Sequence, residues 1–261
     1  MGNALEIKSM SFRYNEKYVF NNFNLTIKKY DFVYLVGTNN SGKSTLMNIL
    51  KGFPCDGELY IDNIEFNVRN QSNIRKKMKI MDVKSVKECK LTNLIDNIKM
   101  LGEDDYEKYI KDYNLLQISS NNYQKLPLLD KIKSLIFVTL IGNTDFLIID
   151  EIIDMLNSKD KYVLYKLIKK YQKNCKKTIF IISNNADGII YAKRILLLDK
   201  GIILFDGAIK DIEKKESVFT DLSVKLPFEI DLSLKLKLYD LIEDIYIDEK
   251  RMIKDIWKKW L

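Results

Sequence analysis

The sequence predicts an α/β fold: a mainly parallel sheet core, an antiparallel β subdomain, a helical subdomain and a short C-terminal helical tail. Three observations carry this. A strand, a glycine-rich loop and a helix follow one another in "DFVYLVGTNNSGKSTLMNILKG", Asp31 to Gly52. Helical and strand patterns alternate from "LIFVTLIG" to "GIILFDG", as a parallel sheet with covering helices requires. The segments before the loop instead read as two paired strands. With 261 residues, 46% of them hydrophobic, the chain can bury one large core or two small ones.

In chain order, "LEIKSMSFRY" and "YVFNNFNLTIKK" alternate like strands joined through "NEK". "FVYLV" is β-rich and of strand length, and Leu46, Ile49 and Leu50 then recur at helical spacing up to a stop at Gly52. "GELYIDN" is another short strand. Residues about 66–135 are mostly helical in pattern and rich in Lys, Asp and Asn. Helix and strand then alternate through "LIFVTLIG", "DFLIID", "KYVLYKLIKKYQK", "KTIFIIS", "GIIYAKR", "ILLLDK" and "GIILFDG". The tail, "VFTDLSVKLPFEIDLSLKLKLYDLIEDIYIDEKRMIKDIWKKWL", carries two amphipathic helical stretches suited to a small packing core.

Composition excludes several classes. Only 3 Pro and 10 Gly argue against disorder and long linkers. Cys55, Cys89 and Cys175 are odd in number and far apart, which suits a reducing compartment without disulfides or a metal knuckle. The start "MGNALEIKSM" has no apolar signal region, and Glu6 stands where a myristoylation signal needs Ser or Thr. No apolar run approaches the ~18 residues of a membrane span. The net charge of +7 is spread along the chain, so it reads as a solvated surface rather than a nucleic-acid footprint.

The chemistry concentrates at two places. Gly37, Gly42, Lys43 and Ser44 fit G-x-x-x-x-G-K-[ST] in its required strand–loop–helix setting. Backbone N–H groups of such a loop and the positive end of its helix face phosphates. Thr38, Asn39, Asn40, Ser41 and Thr45 complete the loop, and Asn40 tolerates a left-handed backbone. Lys43 reaches the β/γ-phosphates and the Ser44 hydroxyl binds Mg²⁺. The second place is "FLIIDE", an apolar strand ending in Asp150 and Glu151, 107 residues after Lys43. Asp150 holds Mg²⁺ through water; Glu151 orients or deprotonates the attacking water, most of what phosphoryl transfer asks of a protein.

With these motifs the chain resembles the ATP-binding-cassette (ABC) ATPases. "SFRY" resembles their aromatic adenine shelf, which makes Tyr14 the stacking residue, and "RILLLDKGIILFDG" resembles the strand pair that closes their nucleotide domain. "DEIIDMLNSKDK" and the C-terminal "LPFEIDLSLKLKLYDL" through "DEKRMIKDIWKKW" are similar to the energy-coupling factor (ECF) ATPases, which drive vitamin and metal uptake. The resemblance implies a P-loop fold of ABC type over residues 1–212, with the helical subdomain at about 66–135, and a dimerisation segment over 213–261. It implies ATP and Mg²⁺ as ligands and a place on the cytoplasmic face of the membrane. Its expected partners are a second ATPase subunit, a transmembrane coupling protein and a substrate-capture membrane protein, with no nucleic acid. Two such subunits sandwich two ATPs, each site pairing one chain's phosphate loop with the other's signature loop.

Four of the family's elements are altered. Where the signature L-S-G-G-Q is expected, 24 residues before Asp150, Leu126 to Asp130 read "LPLLD". Leu128 and Leu129 bring bulk where backbone must approach, and Pro127 removes an N–H. The switch histidine's position holds Asn184, and the chain has no His at all. Asn can hydrogen-bond a phosphate but takes up no proton near neutral pH. Asp82 or Val83 stands in place of the glutamine that senses the γ-phosphate, and Asn157 in place of the aspartate after Leu156.

Three functions remain in competition. The first is an ECF-type transporter ATPase subunit, in a heterodimer because a homodimer suffers every loss twice. The second is a non-catalytic ABC pseudo-ATPase that clamps ATP beside an active subunit; intact Glu151 opposes it. The third is a soluble ABC protein, which the short gap between the motifs and the single cassette disfavour for chromosome and translation types.

Overall fold

The computed structural model describes residues 2–100, 107, 110, 111, 113–142 and 144–260. Part of the helical subdomain expected at 66–135 therefore lies outside the described residues. Two sheets organise the rest. The first is antiparallel, in the order β2-β1-β4-β5. Its strands are β1 (Asn3–Tyr14), β2 (Lys17–Lys28), β4 (Asp56–Ile61) and β5 (Ile64–Glu65). β1 and β2 alternate buried Leu5, Ile7, Phe20, Leu25 and Ile27 with polar neighbours, the period that places one face of a sheet on a core.

The second sheet runs β10-β9-β3-β8-β7-β6. It is built from β3 (Phe32–Gly37), β6 (Met78–Met81), β7 (Phe146–Asp150), β8 (Thr178–Ser183), β9 (Arg194–Asp199) and β10 (Ile202–Gly207). All neighbours are parallel except β9 and β10. β3 and β8 are buried along their whole length, as expected of central strands covered on both faces. Helix α1 (Lys43–Leu50) lies in the core between the two sheets, where Leu46, Ile49 and Leu50 meet Val33, Leu35, Phe180 and Ile182.

The opposite face is covered by α2 (Leu128–Ile141), α3 (Ser158–Cys175) and the start of the tail. There Ile136, Phe137, Leu164, Ile168 and Phe219 join Tyr34, Ile149 and Ile181. Tyr113 stacks on Tyr171 with ring centroids 3.8 Å apart. The tail forms the helices Glu216–Asp221, Phe228–Leu238 and Glu249–Trp260.

Three expectations need correction. Residues 78–81, read as part of a helical region, form the edge strand β6. Met78 and Met81 are buried, and four residues are too few for the 2-residue period to stand out from the helical pattern around them. "GIIYAKR" holds only a 3₁₀ turn, Ile189–Tyr191, before β9. The tail has a short helix, Glu216–Asp221, in addition to the two expected stretches.

Candidate functional site

The strand order decides what meets what. β3, β8 and β7 are adjacent and parallel, so the residues just past their C-terminal ends form one row. These are the Gly37–Thr45 loop, the turn at Ser183–Asn185, and Asp150–Glu151. Ligands of open α/β sheets bind at this edge.

The loop closes tightly. A side chain at Gly37 would lie 2.5 Å from the Leu198 carbonyl oxygen and 2.7 Å from Ser41 Oγ. Gly42 has φ +111° and faces the Phe20 ring, which glycine alone accepts without strain. Asn40 takes a left-handed φ of 64°, as its position in the sequence predicts. Thr38 Oγ1 donates to Asp199 Oδ1 at 3.2 Å, and Gly201 N donates to the Ser41 carbonyl at 2.8 Å. The loop is thereby tied to the β9–β10 turn.

Lys43 is buried, with Nζ turned onto the Gly37 and Thr38 carbonyls at 2.9 and 2.8 Å and onto Ser41 Oγ at 3.3 Å. Burial lowers its pKa; Glu151, Asp150 and Asp154 oppose that from across the row. An ammonium held by neutral oxygens of its own loop fits a polyphosphate. Burial pushes Asp150 up to about 6, and Glu151 and Asp82 add to the push against Lys51 and Lys43. A divalent cation would relieve that carboxylate; Ser44, the other expected ligand, is exposed at the start of α1. Thr45 is buried beside it.

Glu151 follows β7 in a left-handed conformation, φ 55°. Its N–H donates to the Ile182 carbonyl at 3.0 Å, and its Oε1 accepts from Asn184 Nδ2 at 2.9 Å. Asn184 therefore stands against the carboxylate expected to handle water. Tyr14 is half exposed at the end of β1 and meets Phe12 edge-on, 5.0 Å between centroids. Phe12 pairs with Phe20, the residue against Gly42, while Tyr14 pairs with Lys17 at the end of the hairpin.

The altered elements have definite structures. Pro127 precedes the first turn of α2, so the helix of the expected signature exists without its hydroxyl and glycines. Asn157 caps α3, accepting from Asp160 N at 2.9 Å. Asp82, immediately after β6, caps the helix Val83–Lys87 through Ser85 N at 2.7 Å and accepts from Lys51 Nζ at 2.8 Å. Burial works against its charge, but the bonds from Lys51 and Ser85 outweigh it and hold the carboxyl below its usual range. Of the two candidates for the glutamine position, Asp82 is the one whose charge adds to the upward push on Asp150.

Sequence reasoning missed Asp154. Its carboxylate collects the polar groups of the Ser183–Asn185 turn. The signal was an acid three residues past Glu151, on the one-turn spacing that returns to the same side.

A family model of ABC transporters matches residues 20–154, just over half the chain. The energy-coupling factor transporter ATP-binding protein EcfA1 of Mycoplasmopsis synoviae is 29% identical, over 97% of this chain and 100% of that protein. EcfA1 of Ligilactobacillus salivarius is 26% identical over 97% and 95%. In structure, CbiO1 from Clostridium perfringens, part of the CbiONQ ABC transporter complex, superposes with a TM-score of 0.68 at 19% identity, covering 87% of this chain and 97% of that one. The likeness establishes the ABC ATPase fold. With a matched segment that spans more than half of its length, this chain belongs to the ABC transporter family.

Proposed function

We propose that this chain is the ATP-binding subunit of an ECF-type membrane transporter, coupling ATP binding and hydrolysis to uptake of a vitamin or a metal. One observation carries the reading: three adjacent strand ends bring the phosphate loop, Asp150–Glu151 and Asn184 into one row. Relatives matched over nearly the whole chain carry the ECF name. No helix among the described residues is long and apolar enough to cross a membrane, which suits a peripheral subunit on the cytoplasmic face.

In this reading the Gly37–Thr45 loop, with Lys43, binds the ATP phosphates and Tyr14 stacks on the adenine. Ser44 and Asp150 hold Mg²⁺, which supplies charge neutralisation at the phosphates. Glu151 orients the attacking water and accepts its proton. Residues 1–212 form the nucleotide domain. The 213–261 segment packs against a second ATPase subunit, with a coupling membrane protein and a substrate-capture protein completing the complex. A different partner subunit is favoured over a second copy, because "LPLLD" and Asn184 would otherwise weaken both sites. Losing one electrostatic contact to the transferring group raises the barrier by ~3–4 kcal/mol.

The same substitutions favour a second reading, a pseudo-ATPase that clamps ATP while its partner turns over. One comparison separates the two. The complex formed on co-expression with candidate partners is assayed for ATP hydrolysis, with and without Glu151→Gln in this chain alone. Collapse of the rate supports turnover here; an unchanged, measurable rate assigns this chain the clamping role. Lys43→Ala tests the reading beneath both, which is abandoned if the variant binds ATP·Mg²⁺ as tightly as wild type.

A further inference from the structure

We propose that Asp154 is a positioning residue that clamps the turn after β8, so that Asn184 holds the Glu151 carboxylate in a site with no histidine. Its role in turnover rests on the reading that ATP·Mg²⁺ binds at the Gly37–Thr45 loop.

Asp154 lies in the 3₁₀ turn Ile152–Met155 that follows Glu151. Ser183 Oγ, 2.8 and 3.0 Å from its two oxygens, donates into the carboxylate. Asn184 N donates to Oδ2 at 3.0 Å, and Asn185 Nδ2 donates to Oδ1 at 2.8 Å. Three consecutive residues thus converge on one carboxylate, through bonds strengthened by its charge. Tyr34 holds the same turn from the core side, its hydroxyl donating to the Asn185 carbonyl at 3.0 Å and meeting Tyr165 Oη at 3.0 Å.

Asn184 is the link. Its backbone N–H donates to Asp154 and its side-chain amide to Glu151. With the backbone end fixed, the short side chain of this exposed residue starts from a set position beside Glu151. The left-handed Glu151 is a conformation that the surrounding structure must hold for a residue with a Cβ. An amide donor also keeps its protons across the whole physiological range, so the contact is indifferent to pH where an imidazole's would not be.

The test uses the full chain. Asp154→Ala removes the clamp; Asp154→Asn keeps its size but offers one acceptor oxygen in place of two and no charge. The side-chain amide signals of Asn184, assigned by their loss in Asn184→Ser, are recorded by NMR without nucleotide. Both Asp154 variants are expected to shift these signals and speed their proton exchange, with the rest of the spectrum preserved. Unchanged signals overturn the clamp. ATP·Mg²⁺ affinity is then measured separately: a wild type that does not bind refutes the nucleotide reading and leaves the amide result to decide the clamp. In turnover, Asp154→Ala is expected to lower kcat roughly 10- to 100-fold, the scale of a small misplacement, with affinity changed less than about twofold. In a Glu151→Gln background it is expected to have no further effect. An equal fold-loss there, or affinity falling in step with kcat, overturns the positioning role. If the wild type binds but does not hydrolyse ATP, the amide signals decide.

Discussion

Removing the charge of Asp150 should make the nucleotide-free protein more stable. Burial at the tip of β7, with Glu151 alongside, raises its pKa from 3.8 to about 6. Each unit is worth about 1.4 kcal/mol, so ionising Asp150 in the folded state costs up to about 3 kcal/mol, and about 1–3 kcal/mol once water at the site's mouth is considered. The folded-state pKa is raised, so the stability that its protonated form contributes is fully present below the unfolded pKa near 4. That stability is lost as pH rises through about 6. Asp150→Asn never ionises and escapes the loss. It should therefore unfold in urea with a stability about 1–3 kcal/mol above wild type at pH 8, and the gap should close toward pH 4. Adding ATP·Mg²⁺ should reverse the order, because wild type keeps the metal ligand and gains the binding energy. A variant no more stable than wild type at pH 8, or a gap that widens on acidification, would refute the argument.

Asp82→Asn should cost about 1–2 kcal/mol at neutral pH by losing Lys51 and weakening the cap on Ser85. Because the Asp82 pKa is lowered on folding, urea unfolding should show that deficit intact above pH 4 and shrinking below it. Tyr14→Ala should weaken ATP binding by about 1–3 kcal/mol, the scale of base–aromatic stacking, with little change in melting temperature because the ring is half exposed. Calorimetric titration reads the first and thermal unfolding the second. Trp257→Ala, on a side chain 62% exposed, should change monomer stability by less than about 0.5 kcal/mol. It should nonetheless reduce co-purification with the partner ATPase if the tail is the dimer contact.

Some of this was legible in the residues alone, and the limit has a physical form. The phosphate loop could be read because its motif is local: Gly37, Gly42, Lys43 and Ser44 stand together in one short stretch of chain. β7 and β8 could be read because strands buried on both faces admit only apolar side chains, and "FLIID" and "TIFIIS" leave little else to be. β6 could not, since its four residues gain their strand character from pairing with β7, more than sixty positions away. The same distinction runs through the site. Asn184 was legible as a departure, a missing proton carrier. What it does instead depends on where Asp154 and Glu151 stand when β7 and β8 lie side by side. A motif records the residues a reaction needs in a stretch of chain; a substitution's new partners are recorded only in the packing. Asn184, read alone, is a loss. Read with Asp154 beneath it and Glu151 before it, it is one member of a set of polar contacts that ties the chain after β7 to the turn after β8.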